Sequence, residues 1–553
     1  MFKKEVIKIQ KRDIITVIFL FTTIFAQSER WIYRYNSPYN SADWATAIVN
    51  DNDGNLYIGG VSYSPGSADY DFVVIGLTNT GSERWVYRYN HSGNDHLNSI
   101  CYGTDGNIYC AGYTAGISSD FTILSLTPEG TLRWIYTYNG SANSYDEATS
   151  IVYGSDGNIY AAGRTYQDGS YGDFTVISLL NNGVERWIYR YNGPGDDGAS
   201  AIIYAPDSNL YIAGMTTDIL YDFTVISLSN DGSERWVYQY NGPDNGDDWA
   251  YGVVYGNNGN IYAAGYSRGV GTTYDITVVS LTDSGIENWI YRYSSPGYIY
   301  DVATSITLGL DNNIYISGRS GTSSNYDMIV ISLSDSGMER WNYIYNGSGN
   351  ANDEVNAIAW GLDCNIYIAG YSTGVGSCSD FSLISLTTSG VQRWVYQYNG
   401  PANSYDYAVS VIYAGDSYIY AAGGSCGIGT TDDFVVISLD PWTGIKENEC
   451  VKNLRIEIPN LEIVPNPFRN ATSIKFQIPE QGVASSQKSV VSIKIYDVTG
   501  RLVRQFNHLT NYSFNQVVWD GTEDSGRKLP AGIYFIRLES DGFKKTEKVI
   551  LLR

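Results

Sequence analysis

The residues of this 553-residue chain best placed to do chemistry are acidic side chains in Tyr- and Gly-rich loops. Asp196-Asp197, Asp247-Asp248 and Asp353-Glu354 are adjacent acidic pairs, and two carboxylates flanking a glycosidic bond are what sugar hydrolysis requires. Nothing in their spacing singles out one pair, so no catalytic residue is assigned. Asp196, Asp197, Asp247, Asp248, Trp249, Tyr298 and Tyr300 instead form the candidate ligand-binding set. They sit in loops of variable length and content, and such groups stack on and hydrogen-bond sugars or protein surfaces. Histidine chemistry has little to draw on. There are three histidines, His91, His96 and His508, and the first two read as solvated residues of one loop. A catalytic triad or a zinc site needs partners this composition barely offers, so no metal and no cofactor is expected. The glycine-rich GVGT and GIGT pieces lead into strands and not helices, which excludes phosphate loops. The run Asp51-Asn52-Asp53-Gly54-Asn55 partly resembles a calcium loop, but it occupies an ordinary hairpin position and reads as a turn. Among six cysteines, Cys101 and Cys110 flank one hairpin across Asp105-Gly106 and are a possible disulfide. Cys378 and Cys426, in corresponding loops of adjacent repeats, are a second possibility, and Cys364 and Cys450 have no evident partner.

The elements that must position these loops are written in a repeat. The stretch GSERWVYRYN at residues 81–90 has seven near copies, centred on Trp31, Trp134, Trp187, Trp236, Trp289, Trp341 and Trp394 besides its own Trp85. A period of about fifty residues marks a solenoid, an array or a propeller. Each period holds an alternating Trp strand, a hairpin of two apolar runs, and a third short β run, with no helical stretch. Four antiparallel strands per repeat is a propeller blade. Eight hairpins give eight blades, and the lone Trp strand near the N-terminus is left over to complete the last blade. The fold class is therefore all-β, an eight-bladed propeller closed by its N-terminal strand. An aspartate opens the third strand of every repeat, at Asp71, Asp120, Asp173, Asp222, Asp275, Asp327, Asp380 and Asp433. Present once per blade, it reads as scaffold that accepts backbone N–H bonds at a turn. The Trp positions read as inter-blade packing. The hairpin position before the repeated Asn is Gly in four blades and Ser208, Asn312, Cys364 or Ser417 in the others, which leaves the turn type open.

Charge is unevenly spread. The net charge is -23. Residues 1–26 carry +3 (five basic, two acidic) and residues 451–553 carry +5 (fifteen basic, ten acidic), so residues 27–450 hold -31. A body this acidic repels phosphate backbones, so nucleic acid is excluded as a partner. Five basic residues precede the apolar run Ile14 to Ala26, which reads as a secretory signal peptide. No other apolar run reaches membrane-spanning length, so no transmembrane span is expected in the mature chain.

After Leu439 the repeat stops and alternating runs describe a small β-sandwich. VPNPFRNATSIKFQIP, IYDVTGRLVR, WDGTEDSGRKLPAGIYFIRL and the closing KVILLR occur here in order. This region resembles the C-terminal sorting domain of type IX secretion cargo, which is immunoglobulin-like and similar to the domain of flagellar hook-capping proteins. The resemblance implies type IX secretion machinery as a partner, and a protein secreted or attached to the outer surface of a bacterium with an outer membrane. The repeats themselves resemble the bacterial β-propeller repeats of secreted proteins. The expected layout is a signal peptide at 1–26, propeller at 27–440, linker at 441–454 and sorting sandwich at 455–553. The main functional reading is a surface propeller that binds a polysaccharide or a surface protein through its loop-rich face. The alternatives are a carbohydrate-active lyase or glycosidase using loop carboxylates, and a purely structural surface-layer component.

Overall fold

The structure, a computed structural model, describes residues 28–64, 69–116, 118–296, 300–322, 325–441, 460–477, 491–509, 515–540 and 543–552. The signal-peptide segment 1–26 and most of the 441–454 linker lie outside the described residues. No helix among the described residues is long and apolar enough to cross a membrane.

Eight four-stranded antiparallel sheets form the blades. Blade 1 is built of Asp43–Asn50, Leu56–Ser64, Asp69–Leu77 and Glu83–Tyr89. Blades 2 to 7 repeat this order at 96–138, 147–191, 198–240, 249–293, 302–345 and 353–398. Blade 8 takes three strands from 406–440 and its fourth from Ser28–Tyr35, which pairs antiparallel with Asp432–Asp440. First strands of successive blades touch one another, so they surround the axis and the Trp strands lie outermost. The ring is therefore closed by its N-terminal strand, as the leftover Trp strand indicated.

Apolar clusters between successive blades hold the ring together. The cluster between blades 1 and 2 joins Tyr57, Phe72 and Val74 to Leu97, Ile108 and Cys110. Every first strand carries a bulge, between Ala45 and Ala47 in blade 1 and Leu97 and Ser99 in blade 2. The bulge presses a first-strand carbonyl onto the second strand. A Cβ on Gly112 would sit 1.9 Å from the His96 carbonyl oxygen, so only glycine fits. Bulged side chains also tie neighbouring blades: Asn98 donates to the Ala148 carbonyl (2.8 Å), Thr149 to Ala199 (2.9 Å) and Asn356 to Ala408 (2.7 Å).

The repeated decapeptide works at the outer rim. In GVERWIYRYN of blade 3, Gly183 has φ 85° and lies flat on the indole of Trp134 from the preceding blade, where a Cβ would come within 2.6 Å. Glu185 accepts the hydroxyl of Tyr136 (2.7 Å), again from the preceding blade. Arg186 donates to Tyr160 (3.1 Å) and Ser178 (2.8 Å) of its own blade and to the Asn230 carbonyl (3.2 Å) of the next. The Trp187 indole N–H reaches that same carbonyl at 3.1 Å. Nearly every letter of the motif is a contact with a neighbouring blade.

The C-terminal part forms two sheets. One holds Asn460–Val464, Thr472–Gln477 and Asn515–Trp519; the other holds Val491–Asp497, Leu502–Leu509, Gly532–Ser540 and Phe543–Leu551. They share a core of Ile474, Ile493, Ile495, Trp519, Ile536 and Leu538.

Candidate functional site

The loops from fourth to first strand and from second to third strand fall on one face, opposite the short hairpin turns. A second ring of aspartates, which the sequence reading did not single out, fixes these loops. Asp43, Asp95, Asp146, Asp197, Asp248, Asp301, Asp353 and Asp406 precede or open the first strands and are almost fully buried. Asp146 illustrates what they do. Its Oδ2 accepts the Gly140 N–H and its Oδ1 the Tyr166 N–H, both at 2.6 Å. One carboxylate thus clamps the loop entering the blade to the exit of the second strand. The signal was present as an Asp two residues before an apolar residue (Ala45, Leu97, Ala148 and their equivalents) in all eight repeats.

This ring corrects two candidates. Asp197 accepts the N–H groups of Gly193 and Thr217, and Asp248 those of Gly242 and Arg268. Both are shut away from any ligand, and burial pushes both carboxyls up to about 6. Their neighbours remain at the surface: Asp196 accepts the Gly172 N–H (3.0 Å) and Asp247 the Tyr221 N–H (3.5 Å). Tyr298 lies outside the described residues.

Three of the eight third-strand aspartates pair with an arginine and not with a turn N–H. Asp71, Asp275 and Asp433 are bonded to Arg88 (2.6 Å), Arg292 (2.6 Å) and Arg34 (2.7 Å) of their own blades. Asp51, by contrast, is a turn acceptor as expected, taking the N–H groups of Asp53 (2.9 Å) and Asn55 (2.8 Å). The Cys101–Cys110 bridge is not formed. The hairpin sets Cys101 opposite Tyr109 and Cys110 opposite Ile100, so the two thiols face different inter-blade clusters. Cys378 and Cys426 are free as well, whereas Cys364 takes part in a disulfide.

The residue after each clamping aspartate stands on the loop face beside the axis, and here the blades stop being alike. Blades 4 to 7 build an aromatic basin. Trp249 stacks on Tyr251 (centroids 5.6 Å, 18° between planes) and touches Tyr221 at 5.7 Å. Its indole N–H is held by Ser200 at 2.8 Å. Tyr251 occupies the bulge position that is Thr or Asn in several other blades, and leads on to Tyr266 (5.9 Å), Tyr274 (4.5 Å beyond) and Tyr300 (5.4 Å beyond). Beside these rings, Arg319 of blade 6 grips Glu354 of blade 7 at 2.5 Å. Tyr371 donates to the other Glu354 oxygen at 3.0 Å and meets the Tyr326 hydroxyl at 2.8 Å. Burial raises the phenol pKa of Tyr251, with Arg319 opposing the rise and Glu354 adding to it, which places the ion pair within electrical reach of the basin. Of the residues marked from sequence, Trp249, Tyr300 and Asp247 belong here; Tyr251, Tyr266, Arg319, Glu354 and Tyr371 were missed from that set.

A second aromatic run occupies blades 1 to 3. Trp44 contacts Tyr70 (5.2 Å) and His96 (6.0 Å), and His96 stacks on Tyr113 at 5.5 Å. His96 is therefore packed and not solvated; burial lowers its pKa and favours the neutral ring. The run ends at Tyr145, whose hydroxyl donates to Glu147 at 3.0 Å. Glu147 and Glu354 lie four blades apart in a ring of eight, on opposite sides of the axis.

Residues 462–552 match the family described as the secretion system C-terminal sorting domain. The chain ends in a secretion sorting domain. The sorting domain marks the protein as type IX cargo, extracellular or attached to the outer cell surface. No curated protein matches the chain. Solved structures with a similar course include PorZ, described as an essential surface component of the type IX secretion system of Porphyromonas gingivalis. That likeness is 13% identical, with TM-score 0.38, and covers 92% of this chain and 74% of that one. The polysaccharide lyase Uly1 is 12% identical with TM-score 0.42, covering 71% and 89%. The WD40 domain of Neurospora crassa Pan2 is 10% identical with TM-score 0.38, covering 76% and 96%. These distant likenesses bear on neither activity nor ligand.

Proposed function

We propose that the propeller, residues 27–440, is a display scaffold that binds glycan in the basin at the axis of its loop face, and that residues 455–553 deliver it to the cell surface. The observation that carries this is the run Trp249–Tyr251–Tyr266–Tyr274 beside the Arg319–Glu354 pair. Flat rings next to fixed polar groups suit a pyranose, whose apolar face stacks while its hydroxyls bond. Stacking platforms held by packing lose little entropy on binding.

The test incubates the secreted protein with bacterial and algal polysaccharides and measures retention and new reducing ends in the same tubes. Retention without cleavage is expected, and Trp249→Ala with Tyr251→Ala weakens it at least tenfold, about 1.4 kcal/mol. Retention unchanged in that double variant would remove the basin from the account. New ends that vanish in Glu354→Gln would replace binding with catalysis.

A further inference from the structure

On the short-turn face, opposite the basin, seven of the eight blades repeat one arrangement. An arginine at the start of the Trp strand, such as Arg186 or Arg235, donates to the hydroxyl of a second-strand tyrosine at 3.1–3.3 Å. That hydroxyl in turn donates to a hairpin aspartate, as Tyr160 does to Asp156 and Tyr211 to Asp207 (both 2.6 Å). In blades 2, 3 and 4 the guanidinium also reaches a carbonyl of the next blade, at Asn181, Asn230 and Asp283. Its carbon stands 5.8 Å from the centre of the tyrosine ring in each of these blades. The arginine therefore plugs the junction between neighbouring blades, and the aspartate balances its charge.

Blade 5 departs from this at both ends of the pair. The arginine position is Asn288 and the hairpin aspartate is Asn258. Both charges are lost together, so no unpaired ion is left behind. The two amides do not refill the space. Asn288 turns to the Ser280 hydroxyl (3.3 Å) and Asn258 donates to the Tyr262 hydroxyl (2.8 Å). The Asp335 carbonyl, counterpart of Asn230 and Asp283, takes the Trp289 indole N–H (3.1 Å) but no guanidinium. A cavity of about 140 Å³ opens here, lined by Asn257, Asn258, Tyr262, Leu308, Asn312 and Asp335. Tyr262, 1% exposed, is the floor. The exposed side chains of Asn257, Asn258, Asn312 and Asp335 rim the mouth, where Asn257 donates to Asn312 of blade 6 at 2.7 Å. The cavity thus lies between the tyrosine and the next-blade residue that a guanidinium bridges in blades 2, 3 and 4.

We propose that this cavity is a binding site for a guanidinium group, supplied by an arginine side chain of a partner protein. It offers what the internal arginines already use: the Tyr262 ring beside a flat cation, and hydroxyl and carbonyl oxygens as acceptors. The Asp335 carboxylate at the mouth and the acidic propeller around it attract the positive charge. A lysine ammonium lacks the planar fork that meets two separated acceptors at once. The basin opens on the other face, so a partner held here and a glycan held there do not compete.

The test titrates the full secreted chain with acetyl-Gly-Arg-Gly-amide, with its lysine and citrulline counterparts, and with agmatine, followed by ligand-observed NMR. The arginine tripeptide is expected to bind one equivalent, at least tenfold tighter than the lysine or citrulline form. Asn258→Asp combined with Asn288→Arg rebuilds the arrangement of the other seven blades. This variant is expected to lose binding while melting no lower than the wild type. No binding of the arginine tripeptide would overturn the proposal. Equal binding of the lysine form would do the same, reducing the effect to general attraction by an acidic surface. Undiminished binding in the filled variant would move the site elsewhere. Binding of agmatine without binding of the tripeptide would assign the cavity to a free guanidino compound and overturn the protein partner.

Discussion

Asp196 and Asp197 share a loop and a residue type, yet one stays at the surface and the other is sealed beneath it. Strand alternation decides between them, and the sequence shows it only once all eight repeats are aligned on the clamping position. The buried ring has a consequence for pH. Asp95, Asp197 and Asp248 are pushed up to about 6 by burial, with two backbone N–H bonds opposing the rise in each. A carboxyl whose folded pKa exceeds its unfolded value binds its proton more tightly when folded. These groups therefore add stability as pH falls from about 6 towards the ordinary aspartate value near 3.9. The propeller is expected to melt higher at pH 5 than at pH 7, and Asp248→Asn is expected to flatten that slope. A melting temperature that falls on acidification over this window would contradict the burial argument. Asp497 in the sorting domain runs the other way. Thr499 and Arg501 hold its carboxyl down at about 2, so its stabilising contribution is lost as pH drops below the ordinary value.

The strands themselves were legible because alternation and turn chemistry are local properties, and eight copies let each strand be read several times. The turn between first and second strands was not, because its backbone state shows in no pattern of apolar residues. All eight copies adopt positive φ before the strand: Gly54, Gly106, Gly157 and Gly259, but also Ser208 (65°), Asn312 (62°), Cys364 (58°) and Ser417 (68°). Neighbouring bonds impose the conformation. The Asp207 carboxylate accepts both the Asn209 N–H (3.0 Å) and the Tyr211 hydroxyl (2.6 Å), which fixes the loop around Ser208. A side chain at positive φ costs about 1–2 kcal/mol, part of which glycine returns to the unfolded chain as entropy. Ser208→Gly is therefore expected to stabilise the protein by about 0.5–1 kcal/mol in a denaturant titration. A loss of stability would mean that the serine hydroxyl does more than occupy the turn. The misjudged Cys101–Cys110 pairing has the same origin: the turn sets the register, and the register decides which thiols meet.

At the scale of the whole molecule the chain spends its first described strand, Ser28–Tyr35, on a blade assembled some four hundred residues later. The strand was recognisable because an array of seven complete Trp strands and one incomplete end leaves a single place for it. What it contributes is more than one more sheet neighbour. Trp31 donates to the Asn79 carbonyl (3.0 Å) of blade 1, Arg34 pairs with Asp433 (2.7 Å) of blade 8, and Glu29 accepts the Tyr396 hydroxyl (2.8 Å) of blade 7. Three blades are joined through eight residues. Without them the edge of Asp432–Asp440 would present unpaired backbone along the apolar run Phe434, Val435, Val436 and Ile437, all fully buried in the intact ring. An exposed apolar edge pairs with whatever strand it meets. Deleting residues 28–36 from the mature chain is expected to give soluble oligomers or aggregate in light scattering, while moving the same nine residues to follow Pro441 restores a monomer. The two variants have the same blade to fill and differ only in whether the strand is present. A monomeric, fully folded deletion variant would show that seven blades and a three-stranded remnant suffice, and that closure does not determine the solution state of this propeller.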